Sequence, residues 1–143
     1  MKADKNKAIA RRFLTEVWGE GKLDTIENLA SPKIFAKYPP FPQGLQGVEA
    51  YKQVIKGFTS TFSDVHCRID EEIAEGDRVV LRWSCSGTHQ GDLFGIAGSG
   101  KKIEWTGISI FLIVDGKVLE EKGEEDFLAV LGQLDLIPRI RSK

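Results

Sequence analysis

The stretch Glu120-Glu121-Lys122-Gly123-Glu124-Glu125-Asp126 is the densest run of carboxylates in the chain. Carboxyl groups this close can trade protons with a bound molecule, or can simply solvate and blunt the edge of a sheet. Read as a strand, the run has two faces, because successive side chains alternate. Glu120, Lys122, Glu124 and Asp126 share one face and can screen one another in water. Glu121 and Glu125 share the other with Leu119, Gly123 and Phe127. Gly123 removes a side chain between the two carboxylates, which leaves room there for a ligand.

Other chemistry-bearing residues are scattered. His89 ends a strand-like segment beside a glycine-rich loop; it either hydrogen-bonds to hold that loop or acts directly in catalysis. Gly95-Ile96-Ala97-Gly98-Ser99-Gly100-Lys101 has phosphate-loop spacing. A strand follows it, where a phosphate loop opens a helix, so the reading is a hairpin loop. His66 and His89 lack second ligands at helical or hairpin spacing, so no metal is expected. No Gly-x-Ser-x-Gly elbow is present to activate a serine. Cys67 and Cys85 have no basic neighbour in sequence and read as buried thiols of a reducing compartment. Trp18, Phe41, Trp83, Trp105 and Phe111 read as core, or as the lining of a pocket inside that core.

The elements that must position these groups follow from periodicity. Ile9, Phe13 and Val17 recur at spacing four, predicting a helix from Asp4, its cap, to Trp18, stopped by Gly19 to Gly21. Leu23 to Ala30 reads as a shorter helix closed by Ser31-Pro32, and Lys33 to Tyr38 as a short strand. Pro39 to Gly44 reads as a loop. Gly47 to Phe62 sets Tyr51, Val54, Ile55, Phe58 and Phe62 on one helical face. From Asp64 the period becomes two, with Val65, Cys67, Ile69, Glu71 and Ile73 on one side. Val79 to His89, Ile103 to Val114 and Lys117 to Glu125 are further strands, the last two joined by Asp115-Gly116. Asp126 to Leu134 is helical and Pro138 marks the tail. Helices followed by an antiparallel sheet give an α+β class.

In the strand from Ile103, residues Trp105, Gly107, Ser109, Phe111 and Ile113 share one face and Thr106, Ile108, Ile110 and Leu112 the other. Both faces are apolar and both need cover. Helices can cover one; a second subunit covers the other, giving a homodimer. The 143 residues suit one domain, 1–143. Twenty basic and twenty-one acidic side chains leave a formal charge of −1, and no basic patch invites nucleic acid. No apolar run is long enough to span a membrane. No apolar stretch follows Met1 to Lys7 as a signal peptide would, so a cytoplasmic location is expected.

The run Ala74-Glu75-Gly76-Asp77-Arg78-Val79-Val80-Leu81-Arg82 precedes Gly87-Thr88-His89-Gln90-Gly91, Gly95, Gly100-Lys101 and Val114-Asp115-Gly116-Lys117-Val118. With the helix Asn6 to Trp18, Phe62-Ser63-Asp64 and Leu131-Gly132-Gln133-Leu134, this ordered set resembles the SnoaL-like ester (polyketide) cyclase family. The resemblance implies a nuclear-transport-factor-2-like superfold, a bent sheet wrapped by helices into a cone around one apolar pocket, dimeric through the outer sheet face. It turns the Glu121 and Glu125 face inward, where lost hydration should raise a carboxyl pKa toward the range useful for proton transfer. In the family an aspartate of the last strand and a histidine of the strand before it do the acid–base work. Aligned on Asp115-Gly116-Lys117, those positions hold Gly123 and Ser109. Ser109 can still donate or accept a hydrogen bond at that depth.

Two functions stay open at this point. In one, the chain is an enzyme without metal, nucleotide, flavin or other cofactor, performing cyclisation, isomerisation or dehydration on a small hydrophobic carbonyl or hydroxyl compound. Glu121, or less directly Glu125, would be the acid–base group, with His89 and Ser109 orienting oxygen. In the other, the same fold binds a small molecule or assembles without catalysis.

Overall fold

A computed structural model describes residues 1–138; residues 139–143 of the expected domain lie outside the described residues. The first helix, α1 (Lys2–Arg12), runs without a break into a π-helical segment, Phe13–Gly19. Ala10, Phe13, Leu14 and Val17 are buried along it, which is the stripe the periodicity predicts. Asp4 lies within the first turn and is not the cap, a position held by Met1 without a side-chain bond. Helix α2 (Leu23–Leu29) passes at Ala30 directly into β1 (Ala30–Tyr38), so Ser31-Pro32 lie within a strand. The expected loop after Tyr38 is instead a tight turn and an edge strand, β2 (Phe41–Gln46). Pro42 is tolerated there because an edge strand has one row of unpaired amides.

Helix α3 (Val48–Thr61) leads into β3 (Phe62–Glu75), β4 (Arg78–His89), β5 (Lys102–Val114), β6 (Lys117–Glu125) and α4 (Phe127–Gln133). Asp115 and Gly116 both have positive φ, 51° and 75°, as a two-residue hairpin turn between β5 and β6 requires. Asp126 caps α4 by accepting from the Ala129 amide. The strands form one sheet in the order β2-β1-β6-β5-β4-β3. The class is the α+β expected, with one correction to the strand directions: β1 lies parallel to β6. Its direction is set by the crossover through α3, which no local pattern reports.

Bulges also revise two parities. Asp70 is extra in β3, since Ile69 pairs with Trp83 and Glu71 with Arg82. Beyond it the faces exchange, and Ile73 ends up exposed. Leu119 is extra in β6, which turns Val118 inward but leaves Glu121, Gly123 and Glu125 on the concave side. That side packs against α1, its π turn, α2 and α3 to form one core. On the convex side Ile108 and Ile110 remain exposed. No helix among the described residues is long and apolar enough to cross a membrane.

Cys67 and Cys85 are not free thiols. They face each other across the β3–β4 ladder with Cα atoms 4.2 Å apart and are joined as a disulfide. Register brings them together, and sequence spacing alone does not reveal it. The argument for a reducing compartment from free thiols falls with this finding. Purified protein should show no titratable thiol before reduction. Added reductant should lower its stability to denaturant by about 2–4 kcal/mol, the usual loss when a closed loop is released. Two free thiols in the native protein would contradict the bond.

Candidate active site

The cone encloses a cavity of about 470 Å³, within the size range of small-molecule sites. Aromatic side chains make much of its wall: Trp18, Phe58, Phe62, Trp83 and Trp105. Trp18, Phe58, Phe62 and Trp105 meet edge to face or tilted, with Phe58 to Trp105 at 5.9 Å and Phe62 to Trp105 at 4.8 Å between ring centres. Such contacts fix the rings against one another. Phe41 lines the cavity with Pro40, while Leu93 and Phe94 come from the loop after β4. Phe94 is 64 % exposed and packs against Phe127, marking the mouth. The loop is tied to the end of α3, where the Gln90 and Gly91 amides donate to the Thr61 carbonyl. Gly91 permits that approach, since a Cβ there would run into the Ser60 carbonyl.

Six polar side chains form one network at the inner wall. Trp83 Nε1 donates to Ser109 Oγ at 2.9 Å, and Ser109 Oγ lies 3.0 Å from the Tyr38 hydroxyl. Tyr38 donates in turn to Glu121 Oε2. From the other side Trp18 Nε1 donates to the Tyr51 hydroxyl at 2.9 Å, and Tyr51 donates to Glu121 Oε1. Trp18 Nε1 also lies 3.2 Å from Glu121 Oε2. Each partner arrives from a different element: Tyr38 from β1, Tyr51 from α3, Trp18 from the π turn and Ser109 from β5. The π turn carries one residue more than an α turn, and it brings Trp18 over the carboxylate.

Glu121 is fully buried. Burial raises its pKa from 4.5 to about 7, against the lowering effect of the bonds from Tyr38, Tyr51 and Trp18. Both phenols are pushed well above their ordinary range by burial and by the Glu121 charge, so they remain donors. Glu121 turns inward, as the family resemblance implies, but it stands one layer behind the cavity wall, covered by Tyr38. Glu125 does line the cavity. Burial, then the charges of Glu121 and Glu124, raises its pKa from 4.5 to about 7. Among the described residues its carboxyl makes no hydrogen bond or ion pair.

The remaining sequence candidates divide clearly. Trp18, Phe41, Trp83, Trp105 and Ser109 lie on the cavity wall, as expected. Phe111 does not; it is fully buried near Phe13 at the start of the π turn, ring centres 6.2 Å apart. Gly123 leaves no space for a ligand, because a Cβ there would run into the Tyr38 ring and stand 2.9 Å from the Ile108 carbonyl oxygen. The glycine makes room for a phenol. His89 is buried off the cavity wall, with Nδ1 3.0 Å from Ser99 Oγ, tied to the glycine-rich loop. Among the described residues no cluster of three His, Cys, Asp or Glu could hold a metal ion.

Sequence reasoning missed Tyr38 and Tyr51. Tyr51 sat among the apolar positions of its helix and Tyr38 at the end of a strand. The signal for both was the same: a buried phenol needs a hydroxyl partner, and a buried carboxylate needs donors.

Comparison with known proteins agrees with this architecture. A family model described as SnoaL-like polyketide cyclase matches residues 8–134. An aklanonic acid methyl ester cyclase, DnrD of Streptomyces peucetius, is 26 % identical over 129 residues, covering 86 % of each chain. A candidate polyketide cyclase from Acidithiobacillus ferrooxidans is 30 % identical with a TM-score of 0.82, covering 92 % of this chain and 94 % of that one. An LEH-like epoxide hydrolase from Mycobacterium tuberculosis, 13 % identical, shares the fold with a TM-score of 0.73 over 94 % of this chain and 96 % of its own.

The raised Glu121 pKa carries a stability consequence with a definite sign. Between pH 4.5 and about 7 the folded protein holds a proton that the unfolded chain has released. The stabilisation is complete below that window and is lost as pH rises through about 7. Relative to Glu121→Gln, which cannot titrate, wild type should lose on the order of 3 kcal/mol over this range, at about 1.4 kcal/mol per pK unit. Denaturant unfolding of both proteins at matched pH values checks it. A difference that stays flat with pH would show that Glu121 titrates normally.

Proposed function

The chain belongs to the SnoaL-like polyketide cyclase family, and from that premise we propose that it catalyses cofactor-independent proton transfer on a small, largely apolar carbonyl or hydroxyl compound. The reaction class is ring closure, isomerisation or dehydration, each of which needs a base at carbon and a donor at oxygen. The observation that carries the reading is Glu125: a carboxyl without a partner among the described residues, in the wall of an aromatic cavity, with its pKa raised to about 7. A base of that strength is half ionised near neutral pH, where proton abstraction is best matched. Glu125 takes a proton from the carbon next to a carbonyl. The C–H electron pair moves into the carbonyl, and the oxygen is met by Ser109 and Tyr38 on the same wall. The similarity to a cyclase acting on an aklanonic acid methyl ester supports an enolate-type step of this kind.

The competing reading is binding without catalysis. It is favoured by the positions that hold the family's acid–base pair, occupied here by Gly123 and Ser109, and by the three donors that already saturate Glu121. Hydrogen–deuterium exchange at the α-carbon of α-tetralone, a bicyclic aryl ketone of suitable size, separates the two. The protein should accelerate exchange in deuterium oxide, and Glu125→Gln should reduce the acceleration by about a hundredfold with ketone binding retained. Binding without acceleration would support the binding reading instead.

We also propose that a second copy of the chain covers the convex sheet face. The support is the exposure of Ile108 and Ile110 there, at 47 % and 43 %. Ile110→Asp should convert a dimer to monomer in sedimentation, or unfold it, by placing an unpaired charge in the contact. A wild-type monomer, or a variant that stays dimeric and equally stable, would refute the contact.

A further inference from the structure

An indole N–H can only donate, and an ionised carboxylate can only accept. Two chains begin at indoles and end on Glu121, so with Glu121 ionised every link has a forced direction. Tyr38 spends its one proton on Glu121 Oε2; the contact between Tyr38 and Ser109 must therefore be donated by Ser109. Ser109 in turn accepts from Trp83. In this state neither hydroxyl has a proton left for the cavity that both of them line.

Protonation of Glu121 changes the two arms differently. In the Tyr51 arm a reversed phenol would have to donate toward Trp18, which cannot accept, so that arm stays as it is. In the Tyr38 arm, Glu121 donates from Oε2 to the phenol oxygen, and the Tyr38 proton is released to Ser109 or to the cavity. Ser109 can accept it with its second lone pair and turn its own proton inward.

We propose that Glu121 is a positioning residue that works through Tyr38, setting the direction of the Tyr38–Ser109 chain so that a hydroxyl proton reaches a ligand oxygen only when Glu121 is protonated. As a contribution to catalysis this rests on the proton-transfer reading above; as a property of the folded chain it does not. In the reaction, Glu125 gains the carbon-bound proton while the Tyr38 proton moves to the developing enolate oxygen. The Glu121 proton replaces it on Tyr38, leaving Glu121 ionised and one enol formed. Reprotonation at carbon and return of the enol proton restore both groups, with no other reagent consumed. The ionisable groups facing Glu121 are Tyr38 from β1, Tyr51 from α3 and Glu125 from its own strand. The π turn and β5 present Trp18, Ser109 and Phe111 there, none of which titrates.

The three tryptophans, Trp18, Trp83 and Trp105, give the test without any ligand. Indole N–H resonances of the full chain are followed by NMR across the neutral range in a Glu125→Gln background, which removes the other carboxyl of the cavity wall. Trp18 and Trp83 should titrate with one shared midpoint. Adding Tyr38→Phe should abolish the Trp83 titration and leave that of Trp18, because the chain to Trp83 is cut while the Glu121 charge remains. Glu121→Gln in place of it should flatten both. If Tyr38→Phe does not fold, Ser109→Ala cuts the chain one link further on and is read the same way. A Trp83 signal that stays flat in the Glu125→Gln protein, or still titrates after the chain is cut, overturns the switch. Either result leaves the α-tetralone exchange untouched, so failure here is distinguishable from failure of the proton-transfer reading.

Discussion

A carboxylate with no access to water sits inside the cone, and the structure around Glu121 is organised by the need to satisfy it. Leaving such a group unpaired in a low-dielectric interior costs several kcal/mol, enough to cancel much of the stability of a domain this size. Two phenols and an indole meet that need, each delivered by a different element. The parallel pairing of β1 with β6 sets Tyr38 beside Gly123, α3 lowers Tyr51 onto Oε1, and the π turn brings Trp18 across both. Each of these features looks like an irregularity in isolation: a glycine in a strand, a widened helical turn, one parallel pair in an otherwise antiparallel sheet. Together they are what a buried carboxylate demands.

The same constraint separates the roles of the two acidic groups on β6. Glu121 and Glu125 share a face and similar raised pKa values, yet their surroundings differ in kind. One is enclosed by donors behind the cavity wall; the other lines the cavity with no partner among the described residues. The Glu121 charge adds to burial in raising the pKa of Glu125. The positions expected to hold an aspartate and a histidine carry glycine and serine: the glycine admits the Tyr38 ring, and the serine links that phenol to Trp83.

Aromatic packing makes the cavity wall largely apolar, and burial raises the carboxyl pKa values of Glu121 and Glu125 toward neutral. Trp18 serves both purposes, lining the cavity with one part of its ring system while its N–H joins the network. Phe58, Phe62 and Trp105 form a continuous rigid wall beside it. The loop after β4, held to the end of α3 by the Thr61 carbonyl and to β4 through His89 and Ser99, completes the rim.

Local periodicity alone determined the helices, the four long strands, the β5–β6 hairpin and the sharing of one strand face by Glu121 and Glu125. Helical and strand repeats are properties of neighbouring residues, and the turn needs only Asp115-Gly116. Tertiary structure decided everything that depends on register between distant segments. Cys67 opposite Cys85, Tyr38 filling the space over Gly123 and Phe111 withdrawn from the cavity all follow from which residue lies across from which. A single bulge at Asp70 was enough to send Ile73 outward. The sequence could place a carboxylate inside the cone, but only the folded chain, by closing β1, α3 and the π turn around it, could supply the donors that set its proton affinity.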